Sequence, residues 1–359
     1  MKSVVFYAPL KPPTYPTPSG DRQIARNLMQ ALGHALGGPV TLASELRSHE
    51  PKGDPLAQAA LAAEAELEIA RLSKMPQRPD IWVSYHNYYK APDLIGPSVS
   101  RAFGIPYVLI EASRAQSRLS GGWAGFARKA EDASDAAHVI FHFTEQDRFA
   151  LERDRVADQQ IVALPPFLDR ATLPPASACE GAMLAIGMMR AGDKMASYRL
   201  IAETLAHLTT RDWQLDIAGD GAASAEIHAL FAPFGARIRF LGERTAQQLQ
   251  GDMANAALLI WPGVNEAFGM IYLEAQAAGL PIAAQDRPGV RDVLPPGNYP
   301  APEEGAKALA RQVDILLQDP SLRRTRGQQG RQQAEAQHLL PAAAQRLATV
   351  LMPLIGDRS

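Results

Sequence analysis

The chain has one cysteine in 359 residues, Cys179, so it forms no intrachain disulfide and no cysteine-based metal cluster. A reducing, cytoplasmic setting is the expectation. Charge of one sign is missing as well: 36 Lys and Arg against 38 Asp and Glu leave −2, which argues against nucleic acid as a partner. No apolar run reaches the ~18 residues of a membrane-spanning helix. The opening Met-Lys-Ser and Val4–Tyr7 are soon interrupted by prolines and do not read as a signal peptide. What is present is ordinary for a globular chain, 47% hydrophobic and 21% charged, which excludes global disorder. At ~150 residues per domain the length implies about two domains.

Short β-branched runs alternate with longer amphipathic stretches. Ser3–Ala8 reads as a buried strand, and 21–36 as a helix with Ile24, Leu28, Ala31, Leu32 and Ala35 on one face. Further strands are expected at 40–43, 80–85, 106–110, 138–143 and 161–164, with helical material between them, including 58–72. Strands separated by helices imply parallel βαβ units. The stretch 165–175 holds Pro165, Pro166, Pro174 and Pro175 and no periodicity, so it reads as a linker. The alternation restarts with strands at 182–188, 213–218, 238–241, 258–261 and 281–284. Helices are expected at 195–208, 222–231, 245–256 and 269–278, and an amphipathic tail at 339–355. The expected division is 1–165, a linker 166–178, a second Rossmann-like domain 179–335, and a helix in 336–359 packing back on the first. The fold class is α/β, with two Rossmann-like domains facing across a cleft at their strand ends.

The most informative segment runs from Pro262 to Pro281. A strand ends at Trp261, a loop carries Glu266, and a helix opens near Gly269 and stops at Gly279 with Pro281 beyond. The unpaired amides of its first turn, Phe268 to Ile271, suit an anion, and Gly269 allows close approach. Glu266 and Glu274 would repel phosphate but accept hydrogen bonds from hydroxyls. Hydroxyls at both ends of an anionic phosphate describe a nucleotide sugar. Two surface glutamates on a loop and a helix are the plain alternative.

Glu266-Ala-Phe-Gly-Met-Ile-Tyr-Leu-Glu274 resembles the E-x7-E block of GT-B-fold retaining glycosyltransferases of family 4, the glycosyl transferases group 1. Four other blocks are similar in order: Ile186 to Lys194, Leu215 to Gly221, Ile238 to Gly242, and Gln285 to Leu294. The resemblance implies transfer of a hexose-type sugar from a nucleoside-diphosphate donor, UDP- or GDP-linked, to a hydroxyl acceptor. It implies retention of configuration, no metal and no resident cofactor. Glu266 would contact donor-sugar hydroxyls and Glu274 the nucleotide ribose. Phe268, Gly269 and Met270 would offer amides, and Arg190 and Lys194 would bind the diphosphate. The chemistry supports the last role on its own: a departing diphosphate gains charge, and the sequence has no D-x-D pair to hold a metal. A solvated basic loop is the alternative. Gly219 and Gly221 would cradle the nucleotide side, or form an ordinary strand–helix turn.

The first domain departs from the family pattern. Its loop after the first strand holds Gly20 alone among four prolines of 12–20, and the segment 104–113 lacks the usual histidine. Gly20 is expected to touch donor. On the acceptor side His86, Glu111 or Ser113 stands in the histidine's place, or nothing does; a structural histidine among aromatics is the alternative for His86. The stretch from Arg114 to Lys129 is basic with two aromatics, which leaves open a peripheral contact at the inner face of a membrane or a solvated helix face. Two rivals stand beside the transferase: a GT-B epimerase or phosphorylase, and a sugar-nucleotide-binding subunit without catalysis. Oligomeric state is not legible.

Overall fold

The computed structural model describes residues 2–17 and 19–356 and divides the chain into two compact units. One takes the chain up to Pro165 together with the C-terminal helix from Leu340; the other is Pro166–Leu339. Pro18, within the proline-rich loop, lies outside the described residues.

The first unit is a six-stranded parallel sheet. In chain order the elements are β1 (Val4–Tyr7), α1 (Gly20–Leu36), β2 (Val40–Leu42), α2 (Pro55–Leu72), β3 (Ile81–Asn87) and α3 (Gly96–Phe103). Then come β4 (Tyr107–Ala112), α4 (Ala124–Ala136), β5 (Val139–His142), α5 (Glu145–Arg153) and β6 (Gln160–Ala163). The strands lie in the order β2-β1-β3-β4-β5-β6, with Val5 opposite Trp82 and Leu109 opposite Ile140. Helices cover both faces of such a sheet, so its central strands are buried on both sides: every residue of β1 and β3 is buried, Ser84, His86 and Asn87 among them. Trp82, Tyr7, Tyr85 and Tyr107 are the largest side chains of this core. α1 starts where the Ser19 hydroxyl accepts from the Arg22 amide and stops at Gly37 in the left-handed region.

The second unit has β7 (Met183–Ile186), α6 (Asp193–Ala206), β8 (Leu215–Ala218), α7 (Ser224–Phe231), β9 (Ile238–Gly242), α8 (Ala246–Ala254) and β10 (Leu258–Ile260). α9 (Met270–Ala277), β11 (Ile282–Ala283), α10 (Gly305–Gln318) and α11 (Pro320–Gln337) complete it. Its sheet is parallel in the order β11-β10-β7-β8-β9. The proline-rich stretch 166–178 is built into this unit. Leu168 N–H donates to His338 O and Ser177 N–H to Ala278 O. The chain then returns to the first unit as α12 (Leu340–Ile355), which packs along α1 and buries Leu347 and Leu351.

In each sheet the strand order reverses once. β1 leads to β2 on one side, and β3 then joins β1 on the other; β7 leads to β8 and β9, and β10 then joins β7 on its free side. The loops after the two strands flanking a reversal leave in opposite directions and open a crevice at their carboxyl ends. No helix among the described residues is long and apolar enough to cross a membrane.

Two substitutions test this packing. Leu347→Ala removes a fully buried side chain of α12 and is expected to cost about 2–4 kcal/mol of unfolding free energy. The buried Arg323 guanidinium donates to the carbonyls of Cys179, Leu316 and Leu317. Arg323→Ala orphans all three and is expected to cost about 2–4 kcal/mol. Urea unfolding measures both.

Candidate active site

The reversal in the second sheet lies between β7 and β10. The loop after β10 is tied to the start of α6 by three contacts: the Lys194 ammonium pairs with Glu266 Oε1, Asn265 Nδ2 donates to Asp193 Oδ1 at 2.8 Å, and Val264 N donates to Ser197 Oγ at 3.2 Å. Beneath them lies Trp261. Its indole N–H donates to the same Glu266 oxygen at 3.1 Å, and its ring lies 5.0 Å from the Lys194 ammonium. A cation above an indole face and beside a carboxylate is held twice over. Two helices begin at this point, α6 after Gly192 and α9 after Gly269. Neither N-terminus carries a side-chain cap, so their first-turn amides are open to a ligand. Gly269 has φ 77°, which carries the chain from the Glu266 loop into α9.

Among the residues singled out from sequence, Lys194, Glu266, Gly269 and Met270 therefore meet at one place. Phe268 adjoins them with its ring buried. Arg190 is four residues before Lys194, exposed, with no side-chain hydrogen bond or ion pair among the described residues. Glu274 lies on α9, partly buried. Burial raises its carboxyl to about 7, against the pull of Arg170. Sequence reasoning missed Arg170, hidden among the prolines, and its Nε is buried without a hydrogen bond. It also treated Trp261 only as a strand end; an indole five residues before the glutamate was the available signal.

Gly219 and Gly221 have a packing duty. The carboxyl ends of β7, β8 and β9 are stitched together by Gly187 N to Ala218 O, Met189 N to Asp220 O and Gly219 N to Gly242 O. Gly219 has φ 139°, and a Cβ there would collide with the Gly187 carbonyl oxygen. Both glycines also line a cavity of about 470 Å³ with Gly187, Asp220, Glu243 and Arg244. The ordinary strand–helix turn is thus what this backbone forms, with a cavity beside it.

The remaining candidates belong to the first unit, at its own reversal. Gly20 opens α1 with open space around it. His86 lies one residue before the end of β3 and Glu111 one before the end of β4, with His86 Nδ1 3.6 Å from Glu111 Oε2. The basic stretch does not form a uniform cationic face. Arg114 is buried and pairs with Glu131 at 2.6 Å and Asp135 at 2.7 Å on α4, and Phe126 is buried. Arg118 lies over the rings of Tyr89 and Trp123. Among the described residues no group of three or more His, Cys, Asp and Glu is placed to hold a metal ion.

Two parallel sheets with flanking helices and a crevice at each reversal define the GT-B fold of glycosyltransferases. Sucrose-phosphate synthase from Thermosynechococcus elongatus has this fold, with a TM-score of 0.71, 18% identity and 99% of both chains covered. So has Anabaena Alr3699/HepE, solved with UDP and glucose, with a TM-score of 0.66, 14% identity, and 98% of this chain and 99% of that one covered. Residues 184–333, which lie within the second unit, match the model of the family "Glycosyl transferases group 1". A curated relative, a D-inositol 3-phosphate glycosyltransferase of Streptomyces bingchenggensis, is 26% identical over 298 residues. The match takes in 72% of this chain and 64% of that protein's length.

Gly219→Ala places a methyl group against backbone at a φ that L-residues avoid. It is expected to lower unfolding free energy by about 2–3 kcal/mol or more, read by thermal unfolding. Retention of wild-type stability would remove the packing duty assigned to this glycine.

Proposed function

We propose that the chain is a glycosyltransferase that moves a sugar from a nucleoside-diphosphate sugar to a hydroxyl acceptor. The observation that carries this is the Lys194–Glu266 pair, set over Trp261 between two uncapped helix N-termini at the β7/β10 reversal. Cation, open amides and carboxylate acceptors meet there, which is what a diphosphate flanked by sugar hydroxyls requires.

The roles follow from charge. As the bond between the sugar C1 and the phosphate oxygen breaks, its electron pair goes to the diphosphate. Positive charge already fixed in place lowers the cost of that step. Lys194, held by Glu266 and the indole, supplies such a charge, and the exposed Arg190 supplies a bidentate one. Glu266 accepts from donor-sugar hydroxyls, and the amides of Phe268, Gly269 and Met270 face the phosphates. Glu274 takes the ribose diol. The cavity walled by Gly219 and Gly221 gives the base a floor of backbone. A UDP- or GDP-linked donor, retention of configuration and independence of metal rest on the resemblance to family 4 enzymes; two side-chain cations at the diphosphate are consistent with the last.

A thermal-shift series with UDP, GDP and their sugars tests the reading. A nucleotide present at about 100 times its Kd is expected to add about 2.7 kcal/mol of apparent stability. Arg190→Ala and Lys194→Ala are each expected to lower kcat by about 10²-fold or more. A protein that binds UDP or GDP but transfers from no donor would be the non-catalytic subunit.

Glu274 gives a further test. Its carboxyl is raised above the ordinary range, so as pH climbs from about 4.5 to 7 the unfolded chain loses its proton first. Stability falls through that window and stays reduced above it. Glu274→Gln is therefore expected to raise Tm by a few degrees at pH 8, to change it little at pH 4, and to weaken nucleotide binding. A destabilised variant at pH 8 would contradict the assignment.

A further inference from the structure

We propose that the carboxyl end of the first sheet is a cation-selective subsite in which Asp21, His86 and Glu111 take the protonated primary amine of a polyhydroxy ligand. As an acceptor subsite it rests on the transferase reading above; as a binding site it stands on its own geometry.

The backbone is the first observation. His86 has φ 70° and Glu111 φ 58°, a region costing a residue with a side chain roughly 1–2 kcal/mol. They are neighbours across the ladder: Tyr85 pairs with Ile110 and Asn87 with Ala112, and these two residues lie between. Two adjacent central strands thus leave the regular conformation at the same level. That level is the β1/β3 reversal, where α1 brings Asp21.

The second observation is a set of polar atoms without partners. His86 is 9% exposed, and its Nε2 is buried with no hydrogen bond, as is Glu111 Oε2. Nε2 lies 3.9 Å from Asp21 Oδ1 and Nδ1 lies 3.6 Å from Glu111 Oε2. Both gaps are too long for hydrogen bonds, and leaving buried polar atoms in this state is costly.

The third is charge. Facing His86 and Glu111 are Asp21 beside Lys11, Asp147 from α5 and the Tyr85 hydroxyl from β3. Lys11 pairs with Asp21 at 2.9 Å, which leaves carboxyl groups in surplus. Burial with Asp147 and Asp21 lifts the Glu111 carboxyl to about 8, and burial lowers the His86 imidazole to about 4. Near neutrality the site therefore holds a protonated carboxyl and a neutral ring. An anionic ligand meets more acid than base. A neutral hydroxyl offers one proton to several acceptors. An ammonium offers three, and its charge relieves the repulsion that keeps Glu111 protonated. Ionised, Glu111 attracts the ring Nδ1–H and closes the 3.6 Å gap to a hydrogen bond, and the Nε2 lone pair and Asp21 Oδ1 receive two ammonium protons. A nitrogen about 2.8 Å from each spans their separation with an angle near 90°.

Isothermal titration at pH 7 with matched cyclitols tests the proposal: 2-deoxystreptamine as diamine, myo-inositol as neutral ring, and inositol 1-phosphate as anion. The diamine is expected to bind at least about tenfold more tightly than either. Buffers of different ionisation enthalpy should show up to one proton released on binding. Glu111→Gln is expected to abolish that release and to weaken the diamine about tenfold. UDP binding to the same variant, measured as a thermal shift, should match wild type and shows that the chain is folded. Equal or tighter binding of myo-inositol or the phosphate, no binding of any of the three, or proton release that persists in Glu111→Gln would overturn the proposal. Failure of the transferase reading shows separately, as absence of nucleotide binding and of sugar transfer.

Discussion

A parallel sheet cannot add every strand on the same side and still open a crevice; one reversal of direction is needed. Here β1 parts from β3 in one unit and β7 from β10 in the other. Right-handed crossovers send the loops of each pair apart above the strand ends. Every polar group of functional interest lies at one of these two places. Lys194 lies in the first turn of α6 after β7 and Glu266 in the loop after β10; Asp21 lies in the first turn of α1 after β1, and His86 and Glu111 lie near the carboxyl ends of β3 and β4. The hydrogen-bonded interiors of the sheets are mainly apolar, and the buried Ser84 and Asn87 side chains of β3 are hydrogen-bonded within the unit.

The two crevices differ electrically. In the second unit a carboxylate and an ammonium are already paired, an indole supports both, and two helix N-termini add amide dipoles. An anion entering there displaces little that is favourable. In the first unit the acids outnumber the cations, the backbone is twisted at two residues, and buried atoms are left without partners. Strain and unsatisfied groups of this kind lower stability, and they persist where the surrounding sheet over-determines them.

Much of the architecture was legible because it is local. The alternation of apolar strands with amphipathic helices marks both units. Residues 261–281 announce strand, loop, helix and stop in one continuous stretch, and that frame, with the family resemblance, singles out Glu266, Gly269 and Glu274 where the spacing of two glutamates does not. The helices α3 and α5 carried weaker periodicity, and the acid-poor run of α11 did not read as a helix at all. The stretch 166–178 looked like free linker because its prolines suppress periodicity. Its backbone groups are in fact taken up by α9 and by the chain after α11.

The sequence by itself determined which segments form strands and helices and which short loops carry charge, since these follow from periodicity and from residues within a few positions of each other. It could not place Lys194 on Glu266, Arg170 near Glu274, or His86 between Asp21 and Glu111. Those neighbours are dozens of residues or more apart, and strand order alone brings them together. Burial decided the rest: the same glutamate side chain titrates in the ordinary range in water, and at about 7 or about 8 once the fold withdraws the solvent.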